Sequence, residues 1–207
     1  MIGRSTEQDT PGDAGGTGVR DRGPGAPGSD ESASPDGAAP SPYAAAEALM
    51  EQGSYARAAE AYAALLATSP DDVRALLGAG SALTALSRYD AAEKELRRAL
   101  RLAPDLAEVH HQLGLVLFKR GVYPGAATEL RRAVEMDPSC GAAYLVLGEA
   151  LNQMAESDQA IEALENATRI LPENARAYYA MGIAYDRKGK PERAAEMYRM
   201  SREVAAR

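Results

Sequence analysis

AEVHHQLGLVLFKRGVYPGAATELRRAVEMDPSC, residues 107–140, is a 34-residue unit that recurs along the chain. A shift of 34 residues turns Leu113-Gly114 into Leu147-Gly148 and then Met181-Gly182, and one step back gives Ala79-Gly80. Ala126 becomes Ala160 and Ala194, with Ala92 before it, and Pro138 becomes Pro172, with Pro104 and Pro70 before it. A fixed period of this length marks a stacked repeat array, in which each unit buries its apolar face only against its neighbours.

Outward from that stretch, the period divides the chain into five units, at about residues 41–72, 73–106, 107–140, 141–174 and 175–207, the first without the opening of its first helix. Apolar spacing predicts two helices per unit. Helix A carries the Leu-Gly pair or its equivalent and, three residues on, Leu49, Leu83, Leu117, Leu151 or Tyr185. A glycine inside a helix costs about 1 kcal/mol, so Gly114, Gly148 and Gly182 imply that each unit brings a neighbouring helix close. Helix A should stop near Gly53, Ser87, Gly121, Ala155 and Gly189. Helix B carries Ala58, Ala92, Ala126, Ala160 and Ala194, followed four residues later by Tyr62, Leu96, Leu130, Leu164 and Tyr198, which puts a small and a large residue on one face. Pro124 and Pro191 fit the first turn of helix B, the four periodic prolines end it, and Ser41, Asp71, Asp105 and Ser139 are the expected N-caps of the A helices.

The aromatic-or-large, Leu-Gly, Leu, Ala, Leu, Ala, Pro order resembles the tetratricopeptide repeat. His110, Leu113, Gly114, Leu117, Ala126, Leu130, Ala133 and Pro138 carry it in the third unit, and Tyr144, Leu147, Gly148, Leu151, Ala160, Leu164, Ala167 and Pro172 in the fourth. The departures are His110 and Leu76 at the aromatic position and Ala79 for Leu. The resemblance implies an all-α fold: a right-handed α-solenoid of about five 34-residue helix-turn-helix repeats over residues 41–207.

Residues 1–40 differ in kind. They hold nine of the 19 glycines and no Tyr, Phe or Leu. Such a segment cannot offset an ordering cost of roughly 1–2 kcal/mol per residue, and disorder is expected. Its charge of −4 through Pro42 leaves the repeats near −3 of the total −7, so no whole-chain attraction to nucleic acid or anionic lipid is expected. The Arg97-Arg98-Arg101 and Arg131-Arg132 stripe is interleaved with Glu93, Glu95, Glu129 and Glu135 and reads as helix-surface pairing. No apolar run is long enough to span a membrane, and the N-terminus lacks a signal-peptide core, so the expected location is the cytoplasm. Cys140 alone excludes an intramolecular disulfide and a cysteine-cluster metal site. Glu108-x-x-His111 has a metal-like spacing but no second pair to complete a bundle site. No P-loop, dinucleotide fingerprint or nucleophile elbow occurs. The chain is expected to be non-enzymatic, without cofactor or metal.

A helical-pair solenoid lines its concave face with the A helices, and in the resembling family ligands commonly lie there. The positions carried over are Arg74, Leu77, Ser81 and Thr84; Glu108, His111, Gln112, Leu115 and Phe118; Leu145, Val146, Glu149 and Asn152; and Arg176, Tyr179, Ile183 and Asp186. The carboxylate-binding clamp of some family members is absent from them. Leu77, Leu115, Leu145, Val146, Tyr179 and Ile183 are expected to stand open as apolar anchors, with Gln112 and Asn152 bonding to a partner's backbone. A second docking face is expected at the C-terminal helix, on Met197, Met200 and Val204, with weak self-association through it. These features describe a protein or peptide partner and an adaptor or assembly scaffold. The alternatives are a dedicated chaperone for an exported or aggregation-prone client and a regulatory subunit of an enzyme complex.

Overall fold

The structure, a computed structural model, describes residues 41–207, so the disorder expected for residues 1–40 lies outside the described residues. The described residues form ten helices and no strand: α1 (Pro42–Glu51), α2 (Tyr55–Thr68), α3 (Val73–Ala85), α4 (Tyr89–Leu102), α5 (Ala107–Lys119), α6 (Tyr123–Met136), α7 (Gly141–Gln153), α8 (Ser157–Ile170), α9 (Ala175–Arg187) and α10 (Pro191–Ala205). They pair into five hairpins. The first helices of units two to five begin at residues 73, 107, 141 and 175, and the second helices of all five at 55, 89, 123, 157 and 191, a step of 34 throughout. The opening helix α1 has 10 residues where α3 has 13.

Each hairpin turns the same way. At the end of every first helix one residue takes a left-handed conformation: Gly53, Ser87, Gly121, Ala155 and Gly189, with φ between 58° and 77°. The amide after it reaches back five residues, as in Val122 N to Leu117 O at 2.9 Å and Glu156 N to Leu151 O at 3.0 Å. This closure satisfies carbonyls that the helix end would otherwise leave free. The starts of the first helices differ from expectation by one residue. Asp72, not Asp71, caps α3 and accepts from Ala75 N at 3.0 Å. Leu106 and Cys140 stand at the caps of α5 and α7 with no side-chain bond, so Asp105 and Ser139 do not cap. Ser41 caps α1 as expected, and Asn174 caps α9.

Packing explains the periodic glycines. A Cβ on Gly114 would lie 2.6 Å from Leu130 Cγ, and Gly148 meets Leu164 in the same way. The glycine therefore lets the two helices of one hairpin close on a leucine. Leu76, Leu96, Leu113, Leu130, Leu151 and Leu164 are fully buried, each contributing roughly 1.5–3 kcal/mol through area removed from water. Each first helix packs against the next first helix, whereas successive second helices stand further apart and meet only through long side chains, as where Arg131 Nη2 on α6 donates to Gln159 Oε1 on α8 at 2.7 Å. The first helices therefore form the inner, concave layer and the second helices the outer one. Across the outer junctions run ion pairs, Arg120 to Asp90 and Glu93 and Lys188 to Asp158.

Candidate functional site

The inner layer presents the second, fifth, sixth, ninth and twelfth residues of each unit, and its polar chemistry changes from junction to junction. Between units one and two, Glu47 Oε1 accepts from Arg74 Nη2 at 2.5 Å and Nε at 3.2 Å. The Arg74 guanidinium also lies 4.7 Å over the Tyr43 ring, and the Tyr43 hydroxyl donates to Asp72. Between units two and three the link is neutral: Ser81 Oγ donates to Gln112 Oε1 at 2.8 Å, and Gln112 Nε2 donates to Glu108 Oε1 at 3.1 Å. Between units three and four, the half-buried Leu115 and Phe118 pack on the core. Between units four and five, Glu149 accepts a two-point bond from Arg176.

Several expected anchors are not open. Leu77, Leu145 and Val146 are only 6–7% exposed, because each is covered where neighbouring helices meet. Leu145 belongs to the core shared by α7, α8 and α9, and Val146 to the central core. Asn152 is buried too; its Nδ2 donates to Ala180 O at 2.8 Å, so it links α7 to α9 rather than waiting for a partner's backbone. Its Oδ1 is left without a bond. Leu115, His111, Gln112 and Ile183 are half-buried. Burial pushes the His111 imidazole below its usual value despite the opposing pull of Glu108, so it is neutral at pH 7. Tyr179 does stand open, 56% exposed, with its ring 5.5 Å from that of Tyr198.

Where units one to three meet, the inner layer opens into a cleft of about 630 Å³. Its walls include Glu47, Arg74, Ser81, Glu108 and Gln112, and its apolar surface comes from Met50, Val73, Leu77 and Leu106. Tyr62 reaches it from α2, its ring lying where a Cβ on Gly78 would have to be. The groove carried over from the sequence contained Arg74, Leu77, Ser81, Glu108 and Gln112 of this cleft but not Glu47, Met50, Tyr62, Val73, Gly78 or Leu106. The available signal was a tyrosine at the position of Leu96, Leu130 and Leu164, followed by Gly78 on the next helix.

The C-terminal face also differs from expectation. Met197 packs against the core cluster of α7, α8 and α9, and Met200 and Val204 are half-buried. Arg193–Glu196 and Arg199–Glu203 pairs run along α10. The Tyr198 hydroxyl donates to Asp186 at 2.7 Å, and its pKa is pushed up to about 12, first by burial and then by that carboxylate. Among the described residues no group of three or more His, Cys, Asp or Glu side chains is placed to hold a metal ion, and no helix is long and apolar enough to cross a membrane.

Comparison with known proteins matches this arrangement. A family profile described as tetratricopeptide repeat covers residues 43–107 and 111–156; a TPR repeat profile covers 156–189, and a further tetratricopeptide repeat profile 177–203. Among solved structures, a crystal structure of MamA is 28% identical with a TM-score of 0.70, covering 78% of this chain and 94% of that one. MamA from Desulfovibrio magneticus RS-1, residue 41 to the end, is 25% identical with a TM-score of 0.71, covering 78% and 92%. YrrB, described as a TPR protein with an unusual peptide-binding site, is 27% identical with a TM-score of 0.66, covering 77% and 82%. No curated protein matches the chain.

Proposed function

The chain belongs to the tetratricopeptide repeat family, and we propose that it works as a non-enzymatic adaptor or assembly scaffold, holding a segment of a partner protein against its inner layer. Residues 41–207 act in this reading as one right-handed array of 34-residue units. The observation that carries it is the open cleft formed by side chains of three successive inner helices. Such a concavity, apolar with a few convergent polar groups, has the composition of a ligand site. The similar protein YrrB is described as having a peptide-binding site, and the cleft offers this chain a place for a ligand of that kind. A chaperone would need a continuous apolar groove, and the burial of Leu77, Leu145 and Val146 removes three of its anchors. Self-association through Met197 loses support for the same reason, since Met197 is engaged in the core.

The test is site-specific photo-crosslinking. A photoreactive side chain at Ser81 or Gln112 should give partner adducts in source-cell lysate, whereas one at the exposed Glu165 on α8 should give none. Adducts confined to Glu165 would move the working surface to the outer layer and end this reading.

A further inference from the structure

We propose that the cleft between α1, α3 and α5 selects a basic residue of the partner segment, a lysine or arginine beside an apolar side chain. This rests on the inner layer being the peptide-binding surface and adds the chemistry of what is bound. The first observation is a reversal of charge within the repeat. The second residue of a unit is Arg74 in unit two and Arg176 in unit five, and each is neutralised by the ninth residue of the unit before, Glu47 and Glu149. In unit three the second residue is Glu108 and its neighbour at the ninth position is Ser81, whose hydroxyl is used by Gln112. Glu108 thus receives one neutral donor, the Gln112 amide, and no described lysine or arginine lies within ion-pairing distance of it. His111, one turn away, supplies no cation because burial keeps it neutral. A carboxylate accepts at about four lone-pair sites, so Glu108 keeps most of its capacity for an incoming cation.

The second observation is the hydroxyl of Tyr62. The side chain lines the cleft, is only 4% exposed and has its ring fixed against Gly78, yet its hydroxyl makes no hydrogen bond to any described residue. A hydroxyl held in this way has a donor to offer to a carbonyl of an incoming chain. The remaining lining is apolar, Met50, Val73 and Leu77, which suits an apolar side chain and the alkyl stem of Lys or Arg while its head group reaches Glu108. An acidic or phosphorylated segment is disfavoured: Arg74 is already neutralised by Glu47, so an anion would meet the uncompensated Glu108.

The experiment uses the full chain and three fluorescein-labelled dodecapeptide pools, blocked at both ends and degenerate except for a central Leu-Lys, Leu-Gln or Leu-Glu, with affinity read by fluorescence anisotropy. The Leu-Lys pool should bind about 10-fold more tightly than the Leu-Glu pool, the order of difference one well-placed charge pair produces. Glu108→Lys, at an exposed position, should invert that order. Tyr62→Phe, which keeps the ring against Gly78, should weaken all pools a few-fold without changing their order, and circular dichroism should show both variants folded. Equal binding of the three pools, lost in Ser81→Trp, would overturn the basic-residue proposal and leave the groove reading standing. A Leu-Lys preference unchanged by Glu108→Lys would overturn it too, by assigning the preference to the overall negative charge of the chain. Absence of binding by every pool would overturn both.

Discussion

Ala155 ends α7 with φ of 60°, a conformation that its own Cβ opposes. A left-handed L-residue costs roughly 1–2 kcal/mol, and glycine avoids this at an entropic cost of about 0.5–1 kcal/mol. Ala155→Gly should therefore stabilise the chain by about 0.5–1 kcal/mol, read as a rise in the thermal midpoint; a fall would mean that Ala155 makes a contact outweighing its strain. Asp72 is the second residue whose setting makes a prediction. The Tyr43 hydroxyl, and then the Ala75 amide it caps, hold its carboxyl below the usual value. A carboxylate bound in this way stabilises the fold above its unfolded pKa, and that contribution fades as pH falls through the lower folded one. Asp72→Asn keeps a capping oxygen but cannot ionise. The stability difference between wild type and this variant should therefore shrink as the pH falls below about 4. A difference constant across that range would show that ionisation of Asp72 does not matter to the junction of units one and two.

Between elements, a recurring tight fit is the glycine of a first helix under the leucine of its hairpin partner. Gly114→Ala should improve intrinsic helix propensity by about 1 kcal/mol but overpack Leu130, at about 1–3 kcal/mol, so a net loss is expected. Leu130→Ala alone opens a cavity, at about 2–5 kcal/mol. The double variant should lose less than the sum of the two, because the new methyl occupies part of the space that Leu130 left. Strict additivity in urea titrations would show that the two residues do not share that space. This contact was legible from the period alone, since a glycine repeated every 34 residues in a helix implies a repeated close approach. The exact helix starts were less legible. Asp71 and Asp72 are adjacent and both suit a cap, and the choice falls on Asp72 because α3 begins at Val73. Burial on the inner layer was the least legible. Leu77, His111, Leu145 and Tyr179 share one position in the unit, yet Leu145 is 6% exposed and Tyr179 56%. Sequence places a residue on a face of its helix, but the cover over that face comes from helices of other units, and Tyr179 belongs to the last one. For the same reason the cleft was only half visible: Tyr62 enters it from a second helix, which the concave-face positions do not include.

At the scale of the whole array, stability should be graded along the chain, because each unit is held by its neighbours and the end units have one each. The largest core runs from Leu76 to Ala184, while α1 buries only Ala46 and α10 only Ala194. Amide hydrogen exchange should accordingly find α5 to α8 the slowest and α1 and α10 the fastest, the ends opening at least about 10-fold more often than the centre. Uniform protection would mean that the array unfolds as one cooperative unit. The same measurement over a range of protein concentrations decides what happens at the C-terminal end. The Arg193–Glu196 and Arg199–Glu203 pairs and the Tyr198–Asp186 bond give the polar groups of α10 partners within the array. Exchange from α10 should therefore be independent of concentration. Protection of α10 that rises with concentration while α1 stays fast would show a second molecule covering that end, through contacts that include Tyr179, the most exposed large apolar side chain of the array.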